Sequence, residues 1–286
     1  MKIFVTGSAG MIGGYVVKGL IEKGHTVVGV DRRRNENYSL NGNVFKQIVL
    51  DLSSKVEVMR VIEENKPDRC IHLAALAHTK GVVDISWEAF KKFNVDMAEN
   101  VFEACAKNNV PVLFISTVDA IGMVKGLITP DTELNPISNY GKSKALAESR
   151  LKEICSHYNI YRFSPVYTED VKRDIQKRYY LKYPDWAYLI GGGQQFEVLN
   201  VREAVSSMVD WVDKNVDNTI HIIKDEELLD SAKIIEEERA EGRAKHVFRF
   251  PKWMVQCGYY MIRLVFGKSN KTYLVFKALW PFRTSE

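Results

Sequence analysis

Tyr140 and Lys144 stand at positions i and i+4 of Ser138-Asn139-Tyr140-Gly141-Lys142-Ser143-Lys144. In a helix, residues so spaced lie one above the other on the same face. A phenol and an ammonium would then share one surface. A nearby cation favours the phenolate and lowers a pKa that starts near ~10. Such a pair could exchange a proton with a bound alcohol near neutral pH. The same spacing also occurs on solvated helix faces, so its meaning depends on the rest of the chain.

A second constellation lies at the N-terminus. Lys2 to Thr6 is a short β-branched and aromatic run, which reads as a buried strand. Gly7-Ser8-Ala9-Gly10-Met11-Ile12-Gly13 follows at once. Residues 11 to 23 then read as a helix, with Ile12, Val16, Leu20 and Ile21 on one face and Gly24 as C-cap. Thr26 to Val30 reads as a second strand, closed by Asp31. This is a βαβ unit. Glycines permit a tight turn and close backbone approach, and the helix N-terminus offers N–H groups to a pyrophosphate. Gly7, Gly10, Met11, Ile12 and Gly13 are therefore cofactor-binding candidates. Asp31 falls where a carboxylate would bind ribose hydroxyls, with Arg32 beside it. The acid favours NAD over NADP, whose 2′-phosphate it would repel; Arg32-Arg33-Arg34 pulls the other way.

The spacing is G-x-x-G-x-x-G, not the standard dinucleotide fingerprint. Together with Tyr140 and Lys144 it resembles the extended branch of the short-chain dehydrogenase/reductase superfamily. More narrowly, it resembles the NAD-dependent epimerase/dehydratase family, whose members act on nucleotide sugars. The likeness runs to about residue 223. It implies an α/β fold: a Rossmann-type doubly wound parallel sheet with a smaller, mostly helical C-terminal substrate domain. The expected division is 1–163 plus 196–223 for NAD, and 164–195 plus 224–286 for substrate.

The resemblance also assigns residues in order. The strand from Val44 to Leu50 leads into Asp51-Leu52, at the adenine. Arg69 to Leu73 leads into Leu73-Ala74-Ala75, where small residues let the backbone pass close to the cofactor. His78, in the following loop, could face the substrate or be a plain loop histidine. Asn94, inside a helix from Trp87 to Lys107, is placed with the residues that organise the substrate site. Counting back from Gly122 sets Thr117 at the catalytic hydroxyl, with Ile121 in place of the usual Tyr. Asp119 stands where related dehydratases and decarboxylases carry an acid, which makes it a catalytic candidate, an acid/base in epimerisation or decarboxylation; the alternative is a loop Asp making a turn or capping contact. Val118 replaces a second acid of the dehydratases, which argues against dehydration. On the helix over 138–156, Ser138 is the expected N-cap, with Ala145, Leu146, Leu151 and Ile154 as its apolar side. Asn159 to Phe163 enters Ser164-Pro165-Val166-Tyr167, where Pro165 would meet the nicotinamide and Ser164 the substrate; Tyr140 and Lys144 would also border the cofactor, Lys144 binding the nicotinamide ribose. Arg173 and Arg178 are candidates for the nucleotide diphosphate.

The implied function is an NAD-dependent nucleotide-sugar epimerase that transiently oxidises a sugar hydroxyl. Decarboxylase, dehydratase and 4-keto reductase chemistry are alternatives on the same fold. A non-catalytic dinucleotide sensor is an alternative of another class, since fold does not fix function. The family implies a homodimer.

Composition sets the outer bounds. The chain has 286 residues and net charge +4, and it carries no nucleic-acid recognition motif. Cys70, Cys105, Cys155 and Cys257 are scattered, with no metal-ligand spacing; they read as reduced thiols of a cytoplasmic protein. The start shows no signal-peptide pattern, and no apolar run is long enough to span a membrane. Charge is uneven. From Lys245 onward eight basic residues face the single acid Glu286, so this tail carries +7 and the remainder −3. The aromatic, basic tail is either a helical subdomain packing its own rings or a patch that touches a membrane surface.

Overall fold

The computed structural model describes residues 1–35, 43–77, 85–168 and 173–285. Seven parallel strands form the central sheet. They are β1 (Lys2–Thr6), β2 (Thr26–Asp31), β3 (Phe45–Val49), β4 (Arg69–His72), β5 (Val112–Thr117), β6 (Tyr158–Phe163) and β7 (Ile220–Ile223). Their spatial order is β3-β2-β1-β4-β5-β6-β7. The order reverses between β1 and β4, the switch point at which open α/β sheets bind ligands.

Helices cover both faces, which is why the strands read as continuous apolar runs. Ile3, Phe4 and Val5 are fully buried, on alternate sides. One face packs against α1 (Met11–Glu22) through Val16, Val17 and Leu20. The opposite face takes α2 (Lys55–Asn65), through Val58 and Ile62. The segment from Trp87 to Lys107 is one run of three parts. Helix α3 (Trp87–Lys91) passes through a π-helical turn (Lys92–Asp96) into α4 (Met97–Lys107). The π turn is centred on Asn94; such turns often mark functional positions in a helix.

Helix α5 (Asn139–Ile154) is capped by Ser138, whose hydroxyl accepts the Gly141 N–H at 2.9 Å. Its buried face differs from the apolar side expected. It runs through Lys144, Ala147, Glu148 and Leu151, while Leu146 is exposed. Two ionisable residues thus occupy core positions, and the sheet must satisfy them. Arg162 of β6 does so for Glu148. Its Nη2 donates to Glu148 Oε2 at 2.8 Å and its Nη1 to the Pro130 carbonyl at 2.7 Å. Ser116 of β5 donates to Glu148 Oε1 at 2.5 Å. Arg162 is 2% and Glu148 1% exposed, so the pair is screened from water. Removing one partner strands the other, at about 3–5 kcal/mol, whereas replacing both by apolar residues is often near neutral. Arg162→Met is therefore expected to lower unfolding free energy by about 3–5 kcal/mol, and Arg162→Met/Glu148→Leu to recover most of it. Urea unfolding of both variants measures the difference.

Helix α6 (Val201–Trp211) completes the α1 face. Beyond the sheet, the strands Tyr180–Lys182, Trp186–Ile190 and His246–Phe250 form a separate three-stranded sheet. Helix α7 (Ser231–Ala240) packs beside it through Ile235. Asp230 caps α7 by accepting the Ala232 N–H at 2.8 Å. Helices α8 (Lys252–Phe266) and α9 (Asn270–Leu279) form a hairpin around Tyr259, Tyr273 and Phe276.

Candidate active site

The glycine loop and the loop after β4 meet at the switch point. Gly7 has φ +72, and a Cβ on it would lie 2.8 Å from the Ala74 nitrogen. A Cβ on Gly13 would come within 2.1 Å of the Gly7 carbonyl oxygen. No side chain caps α1, and no acid stands in its first turn. The first N–H groups of α1 therefore face the strand ends without a carboxylate to neutralise them, as a bound pyrophosphate requires. Asp31 is fixed at the end of β2 by the Ala9 and Arg33 N–H groups, at 3.2 and 3.1 Å. These features fit a dinucleotide. Arg32 is exposed, with its guanidinium over the Phe93 ring at 5.9 Å. Asp51 accepts the Ser53 N–H at 2.9 Å, which holds its carboxyl below the usual range, and Leu52 is buried. Leu73 and Ala74 are half-buried and Ala75 is exposed.

Below this loop, Thr6 Oγ1 lies 2.9 Å from His72 Nδ1 and accepts the Ala74 N–H at 3.2 Å. Burial, and secondarily the Lys144 charge, holds the His72 imidazole down to about 3. It is neutral at physiological pH and stacks on Phe114.

Thr117 ends β5, and Asp119 lies in the tight turn that follows. Thr117 Oγ1 accepts the Asp119 N–H at 3.2 Å, leaving its own O–H to donate. The first turn of α5 abuts this turn. A Cβ on Gly141 would sit 2.4 Å from the Asp119 carbonyl oxygen, so only glycine lets Tyr140 come this close to β5. Tyr140 also packs near Phe90, with ring centroids 6.2 Å apart. Thr117, Asp119, Tyr140 and Lys144 are thus gathered at the C-terminal ends of β4 and β5.

The electrostatics differ from the expectation for an isolated Tyr/Lys pair. Lys144 is 2% exposed, and its ammonium lies over the Phe114 ring at 4.0 Å. Burial lowers it to about 7, with Glu148 pulling the other way. The Tyr140 phenol is pushed up, not down, first by burial and then by the Asp119 charge. Among the site's own residues, then, the phenol is held toward its protonated form and the lysine is lowered to about 7.

Other expected residues are placed as follows. Asn94 is buried, and both ends of its amide are engaged. Its Oδ1 accepts the Leu76 N–H at 2.6 Å, and its Nδ2 donates to Leu76 O and Ser143 Oγ, both at 2.9 Å. Ser143 donates in turn to the Tyr140 carbonyl at 2.8 Å. Asn94 therefore ties the loop after β4 to α5. Ser164 is buried, and its hydroxyl meets no partner among the described residues; Pro165 accepts the Leu199 N–H at 3.0 Å. Arg178 is half-buried over the Phe196 ring at 5.0 Å. Arg173 opens the helical turn Arg173–Gln176. Its side chain, and His78 entirely, lie outside the described residues. Ile121, where a Tyr is usual, is a core residue packed with Val118 and Ile128. Among the described residues no cluster of His, Cys, Asp or Glu is placed to hold a metal ion.

Sequence reasoning missed the partners of Asp119. Tyr273 donates to its Oδ1 at 3.0 Å, and Lys277 at 3.1 Å. Both come from α9, some 150 residues downstream. They sit four apart on one helix face, as Tyr140 and Lys144 do, and that spacing was the available signal.

Residues 3–215 match the model of the NAD dependent epimerase/dehydratase family. The chain is 28% identical over 200 residues to an uncharacterized UDP-glucose epimerase of Bacillus subtilis, covering 61% of this chain and 60% of that one. It is 31% identical over 164 residues to a decarboxylating sterol-4-alpha-carboxylate 3-dehydrogenase of Schizosaccharomyces pombe, covering 54% and 46%. The chain thus spans roughly half the length of such relatives. The crystal structure of a UDP-glucuronic acid 4-epimerase from Bacillus cereus, in complex with NAD, superposes with a TM-score of 0.71 at 22% identity, covering 88% of this chain and 89% of that one. The fold is shared with such enzymes, and the chain belongs to the NAD-dependent epimerase/dehydratase family.

Proposed function

We propose that this protein is an NAD-dependent enzyme acting on a nucleotide-diphosphate sugar, with epimerisation as the reaction. The observation that carries this reading is the convergence of Thr117, Tyr140 and Lys144 at the strand ends beside an uncapped glycine-loop helix. A mere dinucleotide sensor has no need of the first three. Gly7, Gly10, Met11, Ile12 and Gly13 would hold the pyrophosphate, Asp31 the ribose, and Asp51 and Leu52 the adenine. Leu73 to Ala75, Pro165 and Lys144 would line the nicotinamide end. When bound, NAD supplies reversible hydride acceptance, which makes a sugar carbinol carbon temporarily trigonal.

The chain's own residues handle the protons. Thr117 donates its O–H to the reacting sugar oxygen and orients it. Tyr140 exchanges the hydroxyl proton, and Lys144, once charged, favours the phenolate that must receive it. Asp119 is assigned to positioning, since its Oδ1 is already engaged by Tyr273 and Lys277. This reading favours epimerisation over a route that needs Asp119 as a free acid. The division into a dinucleotide domain and a substrate part, and a homodimer through α5 and the helix before it, belong to the same proposal.

The test is mass spectrometry of products after incubation with NAD and a panel of UDP-, GDP- and dTDP-sugars. An isomer of unchanged mass is expected. Loss of carbon dioxide would instead give Asp119 a chemical role. A two-hydrogen change with net NADH turnover would make the protein a reductase or dehydrogenase. NAD binding without conversion of any sugar would favour the sensor.

A further inference from the structure

Helix α8 does not follow the usual amphipathic rule for a surface helix. Its fully buried residue is Tyr259, packed on Trp280 and Phe276 with centroids at 5.1 and 6.2 Å. Its outward face is apolar as well. Trp253, Tyr260 and Leu264 follow at steps of seven and four, and so share that face. Met261 lies alongside. Trp253 and Met261 are 66% exposed and Leu264 is 88% exposed. Leu274 extends the patch onto α9. A surface helix with a second, exposed apolar face leaves that face unpartnered, and exposed patches of this kind mark interaction surfaces.

The charge around the patch is of one sign. No carboxylate occurs between Lys245 and Ser285. Lys252, Arg263, Lys268 and Lys271 are exposed on the hairpin, and Lys125 joins them from the neighbouring loop. Lys125 rests over Trp280 at 3.7 Å and Lys271 over Phe266 at 4.8 Å. A second copy of the same hairpin would bring cations against cations across an apolar seam. An anionic surface accepts both features: apolar and aromatic side chains enter it, and Lys and Arg meet its phosphates. At 15 residues, α8 would reach about 22 Å, short of the ~30 Å hydrocarbon core. Among the described residues no helix is long and apolar enough to cross a membrane, so the fitting geometry is in-plane.

We propose that the α8–α9 hairpin docks the protein onto an anionic phospholipid surface, with Trp253, Tyr260, Met261 and Leu264 at the boundary between headgroups and acyl chains. The opposite side of the hairpin carries Tyr273 and Lys277 to Asp119, so docking leaves the site's contacts in place.

Co-sedimentation of the full chain with phosphatidylcholine vesicles, with and without phosphatidylglycerol, tests this. Binding is expected with phosphatidylglycerol and is expected to weaken as salt rises. Met261→Glu/Leu264→Glu, at exposed positions, should reduce it by more than about tenfold while NAD binding is kept. Lys268→Glu/Lys271→Glu should lose about fivefold or more per cation, which separates charge from apolar burial. Failure to sediment with anionic vesicles would overturn the proposal, as would binding that the Met261/Leu264 variant leaves intact. A dimer in light scattering that dissolves in that variant, without vesicle binding, would overturn it in favour of a second copy.

Discussion

Under the proposed function, Tyr140→Phe is expected to reduce kcat by about 10²–10⁴-fold, the usual contribution of a positioned acid/base group. The change removes one oxygen and keeps the ring that packs near Phe90. No described residue bonds to the phenol oxygen, so the fold loses no contact. The glycine loop and Asp31 lie on other elements, and NAD affinity should hold within about twofold, because sites without shared partners behave independently. Steady-state kinetics paired with a calorimetric NAD titration separates the two effects. Turnover that survives in Tyr140→Phe would move the proton-exchange role elsewhere, for example to the Tyr273 phenol on Asp119. Loss of both turnover and NAD binding would mean that the substitution had disturbed α5.

Lys144→Met should have opposite effects on activity and stability. The ammonium is buried over Phe114, and Glu148, the nearest acid on its helix, is already committed to Arg162 and Ser116. Burial depresses Lys144 from an unfolded value of 10.5 to about 7. The unfolded chain therefore holds this proton across pH 7 to 10.5, where the folded chain has released it. Stability from this group rises with pH through that window, and the full penalty applies below pH 7. Methionine fills a similar volume without charge, so Lys144→Met should stabilise the protein by about 2–4 kcal/mol at pH 6. The gain should shrink steadily toward pH 10. Denaturant unfolding at several pH values measures this slope; a variant no more stable at pH 6 than the parent would show that water reaches the ammonium. Activity should fall by about 10²-fold or more, because no cation then favours the phenolate. That outcome, stability gained as activity is lost, would be the familiar exchange of stability against activity.

What could be read from the sequence was local. The βαβ unit is legible because strand, glycine turn, helix and acid follow within about thirty residues, each with its own backbone preference. Tyr140 and Lys144 are legible because one helix fixes their relation, and Gly141 between them is what the Asp119 carbonyl demands. The family resemblance added Thr117, Asp119 and Asn94 by order along the chain. It did not say what they touch. Asn94 joins Leu76 to Ser143, and Asp119 receives Tyr273 and Lys277 from the last helix. The i,i+4 spacing of Tyr273 and Lys277 says that they share a helix face, but no periodicity names a partner some 150 residues away, because that contact is set by how sheet and hairpin pack. The same holds for the charges on the buried face of α5. The Tyr140/Lys144 spacing is equally that of a solvated helix face, and Glu148 carries no sequence signal of burial, until Phe114, Ser116 and Arg162 of the sheet are seen beneath them. By itself the sequence determined the dinucleotide unit, the parallel sheet and the Tyr/Lys pair, since short-range sterics and helix geometry specify each. Only the tertiary structure decided the ionisation of that pair, the anchoring of Asp119 and the apolar face of α8, because burial is a property of the whole fold.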